Sequence, residues 1–173
     1  MNALDPADLE ALRVQLGREP RGVLAVESRC PAGHPQVIKV YPLLKSGGTA
    51  EPFPTLFWLT CPAIITQISV LEHDGWIARL EDEMQADPAF RERVERDHRA
   101  YIEERWATLS LADRKWIRRQ GWASFLLERG IGGIEDWAHI KCLHLHAAHH
   151  LARSNAIGAC VAALGVTACG ASD

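Results

Sequence analysis

The stretch Thr55-Leu56-Phe57-Trp58-Leu59-Thr60, followed at once by Cys61-Pro62, divides this chain into two kinds of pattern. It is apolar nearly throughout and has strand length, which predicts a strand that is central in its sheet or covered on both faces. Upstream of it, Arg21–Ser28 (RGVLAVES) and Gln36–Tyr41 (QVIKVY) read as two further strands. The turn residues Cys30-Pro31-Ala32-Gly33-His34-Pro35 between them predict an antiparallel pair. Lys45–Pro54, rich in Gly and Pro, reads as a loop. Ahead of the strands, Asp5 can cap a helix that Pro6 opens, and Leu9, Leu12 and Leu16 supply its stripe up to Gly17.

Downstream of Cys61-Pro62 the apolar period lengthens to that of helices. Ile64, Ile65, Ile68 and Leu71 mark a helix over Ala63–Glu72, closed by Asp74-Gly75, and Trp76–Met84 reads as the next. Asp87-Pro88 starts a long charged helix through Leu109, with Glu and Arg at i, i+3 and i+4 spacing. Ser110 and Asp113 have the logic of a capping box and predict a helix up to Arg129. Gly130-Ile131-Gly132-Gly133 breaks the pattern, and a last helix is expected over Ile134–Arg153, with Asn155 ending it and a tail following. Strands first and helices after predict one α+β domain over residues 1–173. It has a small, mostly antiparallel three-stranded sheet near the N-terminus, packed against a bundle of five to six helices.

Composition narrows the function classes. The 173 residues carry a formal net charge of −3, which gives no electrostatic reason to expect nucleic acid or an anionic membrane as partner. No apolar run approaches the ~20 residues of a membrane span. Met1-Asn2-Ala3-Leu4-Asp5 lacks the basic and then apolar regions of a signal peptide, so a cytoplasmic location is expected. In that compartment the five cysteines are expected as thiols or ligands rather than disulfides.

Chemistry concentrates in Ile140–His150, where four of the eight histidines and one of the five cysteines fall within nine positions. On a helix at about 100° per residue, Cys142, His146 and His149 lie within roughly 60° of one another. His139 falls near the same line, His150 on its shoulder, and His144 points nearly opposite. A thiol and two imidazoles in a row on one face form half of a metal site. The bland alternative is an amphipathic helix with solvated histidines and a buried stripe of Leu143, Ala147 and Leu151.

Two more cysteines sit where thiolates are favoured. Cys30-Pro31-x-Gly33 resembles the turn of a zinc knuckle, in which backbone N–H groups point at sulfur, and His34 could stand in for the missing second Cys. Cys61 is expected at the N-cap of a helix whose first position is Pro62, where the dipole stabilises a thiolate for ligation or for nucleophilic attack. Both could equally be small buried residues. Cys160 and Cys169 lie in an Ala/Gly-rich tail and read as bystanders. The cluster Arg114-Lys115-Trp116-Ile117-Arg118-Arg119 reads as a solvated helix face. Ser46-Gly47-Gly48 is too short to cradle phosphate, and no GxGxxG, Walker or GxSxG signature is present.

Three blocks carry a family resemblance: Leu16–Gly22 with Arg29-Cys30-Pro31, then Phe53–Pro62, then Lys141-Cys142-Leu143-His144 with Ala148-His149. They are long and unusual, and they resemble the bacterial family called domain of unknown function 501, over residues of about 5–158, with 159–173 as tail. The resemblance implies no established activity. It implies that Cys61 exchanges with His in relatives, as ligands do, and that His144 and His149 matter as much as His146. The stretch after Asn155 departs from the family's Asn-Pro-x-Gly ending, with Ala156 where Pro would stand.

Cys30, Cys61 and Cys142, with one of His144, His146 or His149, would make a Cys₃His zinc site, and the same donors could hold an iron–sulfur cluster. The expected protein is thus a small metal-binding one whose site joins the N-terminal loops to the His-rich helix. An enzyme with an open metal position or a reactive Cys61, and a metal-free helical interaction module with a protein partner, are the alternatives.

Overall fold

The computed structural model describes residues 4–170. Helix α1 (Pro6–Leu16) is capped by Asp5, whose carboxylate accepts the Ala7 N–H at 2.9 Å. Strands β1 (Val23–Arg29) and β2 (Pro35–Val40) pair antiparallel, and β5 (Phe57–Leu59) pairs antiparallel with the other edge of β2, giving the order β1-β2-β5. The predicted α+β class and antiparallel three-stranded sheet are therefore what forms. The strand expected to be central or doubly covered is the second of these. It lies at an edge, while β2 is central.

Alternation explains the double cover, because successive side chains leave a strand on opposite faces. Val37, Phe57 and Leu59 enter the main core with α2, α3, α4, α7 and α8, whereas Ile38, Val40 and Trp58 pack with Leu12 of α1. The edge is closed chemically as well: the Tyr101 hydroxyl accepts the N–H groups of Leu56 and Phe57 at 2.5 and 3.4 Å.

Residues read as a loop form a hairpin, β3 (Leu43–Ser46) and β4 (Thr49–Pro52). Leu43 explains it: its side chain is buried with Leu109, Ile117 and Leu126 in a small core of its own, so the hairpin is anchored by packing that the Gly and Pro content did not announce.

Then come α2 (Pro62–His73), α3 (Trp76–Ala86), α4 (Pro88–Thr108), α5 (Leu111–Arg119), α6 (Ala123–Leu127), a short 3-10 turn at 131–133, α7 (Leu143–Ala152) and α8 (Ala156–Ala163). That is eight α-helices among the described residues, where five to six were expected. Ser110 caps α5 as expected, accepting from the Asp113 N–H at 3.1 Å. The single helix expected to Arg129 is two, because Gly121 turns the chain with a φ of 74° and Trp122 packs edge-on to Trp116, with ring centroids 5.3 Å apart.

Two corrections bear on the site. The His-rich helix starts at Leu143 rather than Ile134, since 134–142 is held by tertiary partners instead of helical bonds. Trp137 stacks on His98 at 5.0 Å, and the Ile140 and Leu143 N–H groups donate to Glu81 and Glu72 at 2.7 and 2.6 Å. The stretch after Asn155, read only as a tail, begins with α8. Its small residues are a packing requirement: a Cβ on Gly158 would stand 2.4 Å from His150 Cβ and 2.6 Å from the His146 carbonyl oxygen, so only glycine lets α8 cross α7 there.

Candidate metal centres

Three regions converge at the start of β2. After β1, Gly33 adopts a φ of 84°, and the turn closes with Cys30 N–H donating to the His34 carbonyl at 3.0 Å and Gly33 N–H to the Cys30 carbonyl at 2.8 Å. Arg29 holds the turn from behind, with two bonds to the Asp8 carboxylate at 2.7 and 2.8 Å and one to the Gly33 carbonyl at 3.1 Å. Cys61 arrives because buried Thr60 ties the end of β5 to the start of β2, its hydroxyl donating to Pro35 at 3.0 Å and its N–H to Gln36 at 2.9 Å. Cys61 is the N-cap of α2, with Pro62 in the first turn, as expected. The tail arrives because the Gln67 side chain donates to the Thr167 carbonyl at 2.7 Å and accepts its N–H at 3.1 Å. Gly170 then lies so close to the turn that a Cβ there would be 2.9 Å from that of Ala32.

The result is a cluster in which Cys169 sits between two other thiols. Its sulfur lies 3.1 Å from that of Cys30 and 3.6 Å from that of Cys61. Donor atoms of Cys30, Cys169 and His34 all lie within 4.8 Å of one another. Cys30 and Cys61 are buried, whereas His34 is exposed at the rim. Burial works against a Cys30 thiolate, but the Cys169 thiol and the turn's backbone N–H groups outweigh it and lower the Cys30 pKa. Cys169 is pushed up to about 12 by its bond to Cys30, by burial and by Cys61. The two thiols are thus pushed in opposite directions, Cys30 toward the thiolate and Cys169 away from it.

Cys142 is not part of this cluster. It is the extended N-cap of α7, not a residue of the helical face. Its sulfur, a carboxylate oxygen of Glu72 and a ring nitrogen of His144 all lie within 4.8 Å of one another. Glu72 stands at the far end of α2 from Cys61, and eleven positions at about 1.5 Å each put the two ends roughly 16 Å apart. The expected sharing of one ion by Cys30, Cys61 and Cys142 is therefore not the arrangement that this fold produces. Glu72 Oε1 accepts the Leu143 N–H at 2.6 Å and faces His144 Nδ1 at 3.1 Å, while His144 Nε2 donates to the Ile65 carbonyl at 3.2 Å. Burial raises the Cys142 pKa, with the Leu145 and His144 N–H groups opposing it and Glu72 adding to it.

His146 and His149 occupy a third place, the core. Asn155 lies between them: its Oδ1 takes the His146 Nδ1–H at 3.2 Å and its Nδ2 donates to His149 Nδ1 at 3.2 Å. The same Oδ1 caps α8 by accepting the Gly158 N–H at 2.8 Å. His149 also stacks on Phe57, with ring centroids 5.7 Å apart, and meets Tyr101 edge-on at 5.1 Å. From α4, His98 meets His146 edge-on at 5.8 Å and accepts the Ile131 N–H on Nδ1 at 3.0 Å. Burial lowers the pKa of His98 and His149 to about 4 and that of His146 to about 3. These imidazoles are neutral core groups, and the periodicity that aligned them with Cys142 described a helix face turned into the protein. His139 lies outside α7, exposed beside Glu81 and Asp136.

Local pattern alone did not reveal Cys169 and Glu72. Cys169 had no motif around it, and Glu72 read as one of many helix carboxylates. Only the packing of the tail and of α7 against α2 distinguishes them.

No curated protein and no solved structure matches this chain. Residues 26–163 match the family described as "Protein of unknown function (DUF501)". The match takes in Cys30, His34, Cys61, Glu72, Cys142 and His144, with Cys169 beyond it. It spans most of the chain, and the chain therefore belongs to that family.

Proposed function

We propose that this is a metal-binding protein in which Cys30, Cys61, Cys169 and His34 hold one zinc-type ion. The ion closes a clasp between the β1–β2 turn, the start of α2 and the C-terminal tail. The observation that carries this reading is the sulfur contact of Cys169 with both Cys30 and Cys61, at 3.1 and 3.6 Å, beside an imidazole. Ligands of one tetrahedral zinc at ~2.3 Å would have sulfurs about 3.8 Å apart, close to both Cys169 contacts, while Cys61 lies outside the 4.8 Å group of Cys30, His34 and Cys169 and moves inward to complete the site. An iron–sulfur cluster is wider than one ion and would need the same sulfurs to spread, so zinc is favoured. Four protein donors leave no open position, which makes the role structural.

A reducing compartment keeps such thiols available, and all five cysteines are free. No described helix is long and apolar enough to cross a membrane.

Elemental analysis of protein purified under reducing conditions, with and without Cys169→Ser, tests the clasp. The expected result is zinc in the parent protein and one equivalent fewer in the variant, with a lower melting temperature. A fully folded parent protein that takes up no zinc, and whose Cys30 and Cys169 simply oxidise to a disulfide, overturns the reading in favour of a thiol redox pair.

A further inference from the structure

At the other end of α2, Glu72, Cys142 and His144 present a carboxylate, a thiol and an imidazole with donor atoms all within 4.8 Å. The hydrogen bonds of His144 make this more than a cluster. Its Nε2 faces the Ile65 carbonyl at 3.2 Å, and a carbonyl can only accept, so Nε2 carries the proton. In the neutral ring Nδ1 then carries a lone pair, and it points at Glu72 Oε1 from 3.1 Å. Glu72 Oε1 and this nitrogen thus stand at a separation that either a ring proton or a metal ion can bridge. A backbone carbonyl receiving the remote ring N–H is also the usual means of orienting a metal-bound histidine. Nitrogen and oxygen ligands at about 2.0–2.1 Å from one tetrahedral ion are roughly 3.3 Å apart, close to the observed separation.

We propose that Glu72 Oε1, His144 Nδ1 and Cys142 Sγ form a second, separate site for a divalent transition-metal ion of the zinc or cobalt type. Binding converts the Cys142 thiol to a metal thiolate and releases its proton to solvent. Three protein ligands leave a fourth position for water, which is the pattern of a reactive rather than a closed centre. The side chains of Glu72 and His144 are 24% and 25% exposed, so that position is reachable from solvent. Glu72 has a second task that the ion does not disturb, since it also accepts the Leu143 N–H and so holds the start of α7 in place. The site shares no ligand with the clasp, and either can fail without the other.

The test is a cobalt(II) titration of full-length protein loaded beforehand with a single equivalent of zinc, which the four-donor clasp takes first. Binding of one further equivalent, with a thiolate-to-cobalt charge-transfer band, is expected. Glu72→Gln keeps an acceptor for the Leu143 N–H and should fold, yet it should weaken this equivalent by at least about 10-fold. Cys142→Ser should abolish the charge-transfer band, and Cys160→Ser should change nothing. No further equivalent in the parent protein would mean that a proton alone joins Glu72 and His144, and the proposal is overturned. A further equivalent that persists unchanged in both Glu72→Gln and Cys142→Ser overturns it equally.

Discussion

The sulfurs of Cys30 and Cys169 lie 3.1 Å apart, although 139 positions of sequence separate them. A chain terminus is ordinarily the first part of a domain to fray. Here the Gln67–Thr167 pairing and the thiol contacts bind it to the N-terminal half. Removing residues after Leu164 is therefore expected to cost more than a tail would. The truncated protein should lose one zinc equivalent and melt lower, because binding energy at a structural site is folding energy. In the intact protein, a chelator should raise the alkylation rates of Cys30, Cys61 and Cys169 together, as read by peptide mass spectrometry. If Cys169 alkylates equally fast with and without zinc, it is not a ligand.

Asn155 serves three partners with one amide, and its replacement should be costly. Asn155→Ala removes the α8 cap, worth about 0.5–2 kcal/mol. It also strands two buried imidazole nitrogens, at roughly 1–3 kcal/mol each. A loss of about 3 kcal/mol or more in urea unfolding is expected. Asn155→Asp keeps the accepting oxygen and loses only the donor to His149, so it should fall between the two.

Arg105 is fully buried and has no carboxylate partner among the described residues. Its guanidinium donates instead to the carbonyls of Pro54, Leu126, Arg129 and Gly130, which joins α4 to the end of α6 and to the loop before β5. Burial lowers its pKa to about 10, so it remains charged at neutral pH, and carbonyls at a helix C-terminus suit a cation. Arg105→Met leaves those carbonyls without donors and should destabilise by about 3 kcal/mol or more. Arg105→Lys, with fewer donors and no planar fork, should recover only part of this. Differential scanning calorimetry decides both.

Stability should fall with acid in a window set by the core histidines. His98 and His149 have pKa values of about 4 and His146 one of about 3, all lowered chiefly by burial. In the unfolded chain a histidine titrates near 6.5. Between those values the unfolded state binds more protons, so stability is complete above about pH 6.5 and is lost as pH falls toward 4. Three such groups should cost roughly 4 kcal/mol on going from pH 7.5 to 5.5. Urea midpoints across that range provide the measurement, and His98→Gln should flatten the slope by about a third. A flat profile from pH 7.5 to 5.5 would contradict the assignment of these rings as neutral core groups.

How much of this was legible in advance depends on how local each feature is. The three paired strands, the caps at Asp5, Asp87 and Ser110, and the N-cap position of Cys61 follow from short-range rules of alternation, side-chain capping and the fixed φ of proline. Those rules act within a few residues, and the sequence by itself determined them. The grouping of the metal-type donors was not local. Cys142 has helical neighbours and a helical spacing to His146 and His149, yet Glu72, Glu81 and the stacking of Trp137 on His98 hold its segment extended and start α7 one residue later. Cys169 had no pattern at all, and it meets Cys30 because Gln67 binds the tail. The sequence determined which residues could ligate, since thiols, imidazoles and carboxylates carry that chemistry wherever they lie. Only the tertiary structure decided which of them meet, because the length of α2 separates Cys61 from Glu72 while chain packing joins Cys30 to Cys169.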